Sequence, residues 1–149
     1  MVSLKKQLLD LCHQAIDTKI VDCTSAIALA RESSKEETKS SAGDKYETAR
    51  AMIQQEIDKY SLQLQDAEKQ KMLLSSLPQT EDTVIRNGSL VVTNRGNFFI
   101  AISIGQLVIG DKPYFAISSA SPIGTILLNK RKGDTFLFRG NEYTIEDVK

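Results

Sequence analysis

The chain has 149 residues, 41% hydrophobic and 26% charged, which suits one domain, or one domain with an extension, and excludes a large multidomain enzyme. Its 19 Lys and Arg balance 19 Asp and Glu, which argues against a protein that holds nucleic acid through a surplus of positive charge. No run approaches the roughly 20 apolar residues of a bilayer span, and residues 1–11 lack the apolar run and cleavage site of a signal peptide, so a cytoplasmic protein without membrane contact is expected.

In chain order, the first apolar pattern is Leu9, Cys12, Ile16, Ile20, Cys23, Ile27 and Ala30. Intervals of three and four place these residues on one stripe of a helix. Eleven positions along such a helix separate Cys12 from Cys23 by about 16 Å, beyond disulfide reach, so both read as small core residues. His13 has no second His or Cys near it in sequence and suggests no metal site. A polar segment follows, from Ser33 to Gly43, and then a second stripe: Ala49, Ile53, Ile57, Tyr60, Leu64, Ala67 and Leu74. Two helices with one seam each bury those seams most simply against each other, as an antiparallel hairpin over 1–77 with its tip near 33–44. From Asp44 to Leu74 the second helix would run about 46 Å.

Near residue 80 the composition changes. One glycine precedes this point and seven follow it, together with Phe98, Phe99, Tyr114, Phe115, Phe136, Phe138 and Tyr143. Pro78 marks the joint. Runs rich in Val, Ile, Phe, Tyr and Thr predict strands over 89–93, 98–103, 114–118, 135–138 and 143–145. Asn94-Arg95-Gly96, Gly110 to Pro113, and Arg139-Gly140-Asn141 supply the turns. Ser121 followed by Pro122 predicts a helix start, with Ile123, Ile126 and Leu127 as its apolar face and Gly133 shortly beyond its end. Residues 78–149 thus predict a small, mostly antiparallel sheet with one helix across it. Residues 105–112 mimic a phosphate loop but lack its Gly-Lys-Ser/Thr ending. One histidine on the helical arm cannot assemble a Ser-His-Asp or Cys-His set.

Ser121-Pro122-Ile123-Gly124, two residues, Leu127-Leu128-Asn129, three residues, and Gly133-Asp134 closely resemble a segment of the Gre transcript-cleavage factors. There it reads Ser-Pro-Leu/Ile-Gly/Ala, two variable positions, Leu-Leu/Ile-Gly, three variable positions, Gly-Asp. Glu142 to Ile145 is similar to that family's last strand. The resemblance implies an α+β chain, with an N-terminal antiparallel coiled coil followed by an FKBP-like antiparallel β domain with one helix. It implies a monomeric factor without turnover of its own. The C-terminal domain, including Ser121 and Pro122, would dock on the rim of the secondary channel of bacterial RNA polymerase. The coiled coil would reach the active centre, and contact with nascent RNA would be indirect, within that complex. Two tip carboxylates would help hold a second Mg²⁺, shared with the polymerase, and orient the water that cuts backtracked RNA. No cofactor is implied for the chain alone.

At the tip the family pattern is Asp, two positions, Glu-Asn-Ala-Glu-Tyr, one position, Ala-Ala-Lys/Arg. Tyr46, Ala49 and Arg50 match it, whereas the positions of the two acids hold Lys39 and Ala42. The nearby acids Glu36, Glu37, Asp44 and Glu47 are the candidate substitutes, with Asp44 and Glu37 as candidate Mg²⁺ ligands. The same residues have plainer readings. Asp44 to Glu47 has the form of a capping box, and Glu36 and Glu37, beside Lys35 and Lys39, suit a solvated loop. Lys130, Arg131 and Lys132 suit either a contact patch or a helix C-terminus. Two other functions remain open: an FKBP-like peptidyl-prolyl isomerase or chaperone, and a coiled-coil adaptor that dimerises through the stripes.

Overall fold

The computed structural model describes residues 3–37 and 43–149, without the side chains of 36, 37 and 43–45. Two helices of 34 residues, α1 (Leu4–Glu37) and α2 (Gly43–Ser76), precede a six-stranded sheet. The protein is α+β. Ser3 starts α1: its hydroxyl accepts from the Lys6 N–H (3.2 Å) and its carbonyl from Gln7 (3.0 Å), which satisfies donors that a helix N-terminus leaves open. α2 closes with the Ser76 hydroxyl donating to the Leu73 carbonyl at 2.7 Å, two residues before Pro78. Among the described residues no helix is long and apolar enough to cross a membrane.

The chain divides into two compact units, Met1–Ala15 with Met72–Lys149, and Ile16–Lys71. Within the second unit α1 and α2 run antiparallel. Asp17 pairs with Lys71 at 2.7 Å, and six residues further along α1 Cys23 Sγ meets Gln63 Oε1 at 3.8 Å, eight residues back along α2. Ile16, Cys23, Ile27 and Ala30 of the first stripe and Ala67 of the second are buried. Ala49, Ile53, Ile57, Tyr60 and Leu64 are half-buried. The seam holds this unit together, since the half-exposed Asp17–Lys71 pair contributes less than about 1 kcal/mol.

The sheet comprises β1 (Leu90–Thr93), β2 (Gly96–Ala101), β3 (Gly105–Ile109), β4 (Lys112–Ser118), β5 (Thr135–Phe138) and β6 (Asn141–Val148), in the order β3-β4-β2-β1-β6-β5. The sheet is mostly antiparallel, as expected, and the structure adds two features to that expectation. β2 and β4 pair in parallel, Phe98 opposite Phe115, because the intervening β3 reverses the chain once more. β3 itself, in the stretch compared above with a phosphate loop, is a strand. It was missed because an edge strand beginning at Gly105 shows only a short, half-exposed alternation.

One face of the sheet carries Val91, Phe98, Ile100, Phe136 and Ile145, which form a single core cluster with Ile85, Val148 and Leu127 of the short helix α3 (Pro122–Leu127). The register slips between Val92 and Thr93 where β1 meets β6. The extra β6 residue lets Ile145 and Val148, three apart, join the same cluster. The other face carries Leu90, Phe99, Ala101, Tyr114 and Ala116, also buried; in the same unit Leu8, Leu9 and Cys12 of α1, Leu74 of α2 and Leu77 just beyond it are buried. Burial pushes the Cys12 thiol up to about 12, leaving it protonated and unreactive at neutral pH.

Candidate functional site

Of the tip acids, Glu36 and Glu37 fall in the last turn of α1 and Asp44 in the first turn of α2. Their side chains lie outside the described residues, as do residues 38–42 with Lys39 and Ala42. α2 begins at Gly43, so Asp44 stands inside the helix and not one residue ahead of it, where a capping box needs its first member. Glu47 is exposed. With Ser34, Tyr46, Arg50 and Ile53 it lines an open cleft of about 420 Å³, in which the Arg50 guanidinium donates to the Tyr46 hydroxyl at 3.4 Å. Among the described residues no group of three or more His, Cys, Asp or Glu is placed to hold a metal ion.

The Ser121–Asp134 segment is described in full, and its fixed positions have local structural work. Ser121 is the N-cap of α3. Its hydroxyl accepts from the Gly124 N–H at 3.1 Å and donates to the Ser118 carbonyl at 2.6 Å. Pro122, exposed, occupies the first turn, where a missing N–H costs nothing. Gly124 is buried hard against the Ser118 carbonyl. Leu127 fills the core cluster, and Asn129, where the resembled pattern has glycine, adopts φ 70°, a left-handed conformation that Asn tolerates better than most residues. The helix therefore ends six residues before Gly133, sooner than glycine placement suggested. Asp134 closes the next turn, accepting from the Arg131 N–H at 2.8 Å. Replacing Ser121 by Ala should cost about 1 kcal/mol, read as a lower midpoint in urea denaturation of the full chain.

Sequence reasoning missed a polar cluster in the first unit. Asp82 is 7% exposed. Its carboxylate accepts from Arg86 Nε (2.8 Å), the Ser89 hydroxyl (2.7 Å) and Lys5 Nζ (3.3 Å). Lys5 also donates to the carbonyls of Thr80 (2.6 Å) and Lys149 (3.2 Å). Burial pushes the Asp82 carboxyl up, but the Ser89 bond, the Lys5 charge and the Arg86 and Lys5 bonds together outweigh it and hold it below its ordinary range. Lys5, Thr80, Asp82 and Lys149 line a cleft of about 720 Å³ with Ser3, Glu81 and Asp147. The donors that reach Asp82, from Lys5, Arg86 and Ser89, are engaged with protein acceptors, so the cluster is a structural tie. No sequence spacing could have shown it, since Lys5 and Asp82 are 77 residues apart.

No protein-family model matches the sequence, and no curated protein matches it. Among solved structures, that of the transcription factor Gfh1 is similar to this chain, with 18% identical residues and a TM-score of 0.36 over 91% of this chain and 92% of that one.

Proposed function

We propose that this protein is a Gre-like transcription elongation factor. It binds bacterial RNA polymerase, enters the secondary channel with its hairpin, and stimulates the polymerase's own cleavage of backtracked RNA or otherwise regulates the active centre, with no turnover of its own. The observation that supports this reading is one combination in a single chain: a hairpin of two 34-residue helices followed by a sheet unit built around the Ser121–Asp134 segment. That support is an analogy of architecture and motif, so the chemistry must be argued from the tip. A hard cation takes oxygen ligands. Glu36, Glu37, Asp44 and Glu47 are the oxygens this chain offers near the tip, in place of acids at Lys39 and Ala42. A Mg²⁺ reached by this tip would draw one or two carboxylates from here, with the polymerase completing its shell, and would supply Lewis-acid activation of water.

Stalled, backtracked elongation complexes mixed with the protein and Mg²⁺ should release short 3′ RNA fragments. The variant with Glu36, Glu37 and Asp44 all changed to Ala should bind polymerase as the wild type does but release none. Binding without release by the wild type would leave a channel-occupying regulator. Absence of binding would end the proposal.

The aromatic rings on the sheet, with buried Phe136 stacked on half-buried Tyr143 at 4.9 Å and buried Phe98 5.9 Å from the more exposed Phe115, favour a second reading, an FKBP-like peptidyl-prolyl isomerase. Acceleration of proline isomerisation in a model peptide would favour that reading over the first.

A further inference from the structure

Of the asparagines in the chain, only Asn87 precedes a glycine. Asn-Gly is the dipeptide most open to loss of ammonia, because the glycine nitrogen reaches the carboxamide carbon with no side chain in its way. The pair sits at the centre of a turn. The Ser89 N–H donates to the Arg86 carbonyl at 3.0 Å, closing residues 86–89, and the Arg86 N–H donates to the Ser89 hydroxyl, also at 3.0 Å. Gly88 has φ 95°, as the third residue of a type II turn requires. A Cβ there would lie 3.2 Å from the Pro78 carbonyl oxygen, so the turn and the packing against Pro78 both demand glycine, and the fold fixes the labile pair in the sequence. Two features hold the pair closed. The Gly88 N–H donates to the Ile100 carbonyl at 2.7 Å and the Ile100 N–H to the Ser89 carbonyl at 3.0 Å, which keeps the Gly88 nitrogen on the sheet. Asn87 Oδ1 is buried and, among the described residues, accepts no hydrogen bond, so negative charge developing on that oxygen would meet no donor.

We propose that Asn87–Gly88 is a spontaneous modification site, which the folded turn keeps shut and which opens when the turn leaves Ile100. Water then solvates both groups. The Gly88 nitrogen gives up its proton to solvent base and attacks Asn87 Cγ; the N–Cγ bond forms, the Cγ–Nδ2 bond breaks, and ammonia departs to leave a succinimide. Water is the only further reactant. Hydrolysis of the new Cγ–N bond gives aspartate at position 87, whereas hydrolysis of the original peptide bond gives isoaspartate, whose main chain runs through Cβ and Cγ and is longer by a methylene. Neither product retakes the turn. Aspartate would set a charge where Oδ1 is buried without a donor. Isoaspartate displaces Gly88, whose N–H must meet the Ile100 carbonyl. With the turn goes the Ser89 hydroxyl, which donates to Asp82 at 2.7 Å. A transient opening thus becomes a lasting change, and the tie at Asp82 limits how often the opening occurs. The proposal is independent of the polymerase reading above.

The test follows the full chain in mildly alkaline buffer, with and without guanidinium chloride above the unfolding midpoint. Peptic mapping at low pH and mass spectrometry locate the conversion and separate aspartate from isoaspartate. In denaturant Asn87 should convert ahead of Asn94, Asn97, Asn129 and Asn141, with isoaspartate in excess; in buffer its conversion should be at least about tenfold slower. Ser89→Ala removes the hydroxyl that bonds Asp82 and the Arg86 N–H. It should speed conversion in buffer at least about threefold and leave it unchanged in denaturant. Circular dichroism establishes that this variant is folded, and Asp82→Asn takes its place if it is not. Once the denaturant is removed, the modified fraction should unfold at a lower denaturant concentration than the unmodified one. The proposal is overturned by conversion as fast in buffer as in denaturant, by no conversion at Asn87 in denaturant, or by a folded variant that converts in buffer at the wild-type rate. A modified fraction that keeps the wild-type midpoint overturns it as well.

Discussion

Gly124→Val should destabilise the sheet unit by about 3 kcal/mol or more and lower its midpoint of thermal unfolding. A Cβ built at this position falls well inside contact distance of the Ser118 carbonyl oxygen and 2.8 Å from the Ser121 hydroxyl oxygen. The Ser118 carbonyl cannot simply withdraw, because it accepts both from the Ser121 N–H at 3.0 Å and from the Ser121 hydroxyl. Relief must come from lifting the first turn of α3 off β4. That movement loosens the cap and uncovers Leu127, a fully buried side chain whose type is worth about 1.5–3 kcal/mol when buried. Gly124→Ala, which the resembled pattern carries at this position, demands a smaller shift and should cost less. Thermal unfolding followed by circular dichroism ranks the two variants, and a valine variant within about 0.5 kcal/mol of wild type would show that α3 is not held against Ser118 as described.

Changing Asp82 to Ala should cost about 3 kcal/mol, the scale for removing one member of a buried ion pair and stranding the other. The stranded group is chiefly Lys5, whose side chain is 14% exposed; Arg86, at 54%, is largely rehydrated and adds little. Lys5 would retain the carbonyls of Thr80 and Lys149, which keeps the loss below the upper end of that scale. The pH dependence follows from the direction of the shift. The folded carboxyl titrates below the roughly 3.9 of an unfolded Asp, so the unfolded chain binds the proton first. The stabilisation is complete above the unfolded value and disappears as pH falls through the folded one. Urea titrations between about pH 6 and pH 3 should therefore show the wild type losing stability on acidification, whereas Asp82→Asn starts lower and changes less. Parallel curves for the two proteins would mean that Asp82 has no depressed pKa in the folded state.

Both sites show how far sequence reading reaches. Gly124 was visible as part of a motif, but its reason, a carbonyl six residues earlier on β4, was not. For Ser121 the local spacing was enough, because an N-cap satisfies donors within three residues of itself. Asp82 gave no signal: it stood in a polar stretch beside Pro78, and its partners come from α1 and from the turn before β1. At the tip the acids are legible as residue types, but their mutual placement depends on the chain between α1 and α2, which no periodicity encodes.

The sequence by itself determined the periods: 3.6 for the two stripes that pair as a hairpin, 2 for most of the strands, and the Ser121–Pro122 start of α3. These are local properties, set by which side of an element must leave water. The tertiary structure alone decided which elements become neighbours, namely the parallel pairing of β2 with β4, the added strand β3, and the convergence of Lys5, Arg86 and Ser89 on Asp82. It also decided that α3, only six residues long, leaves part of its sheet face bare. A periodic pattern states that a face is apolar; whether another element covers it depends on the length and direction of chain that arrives there.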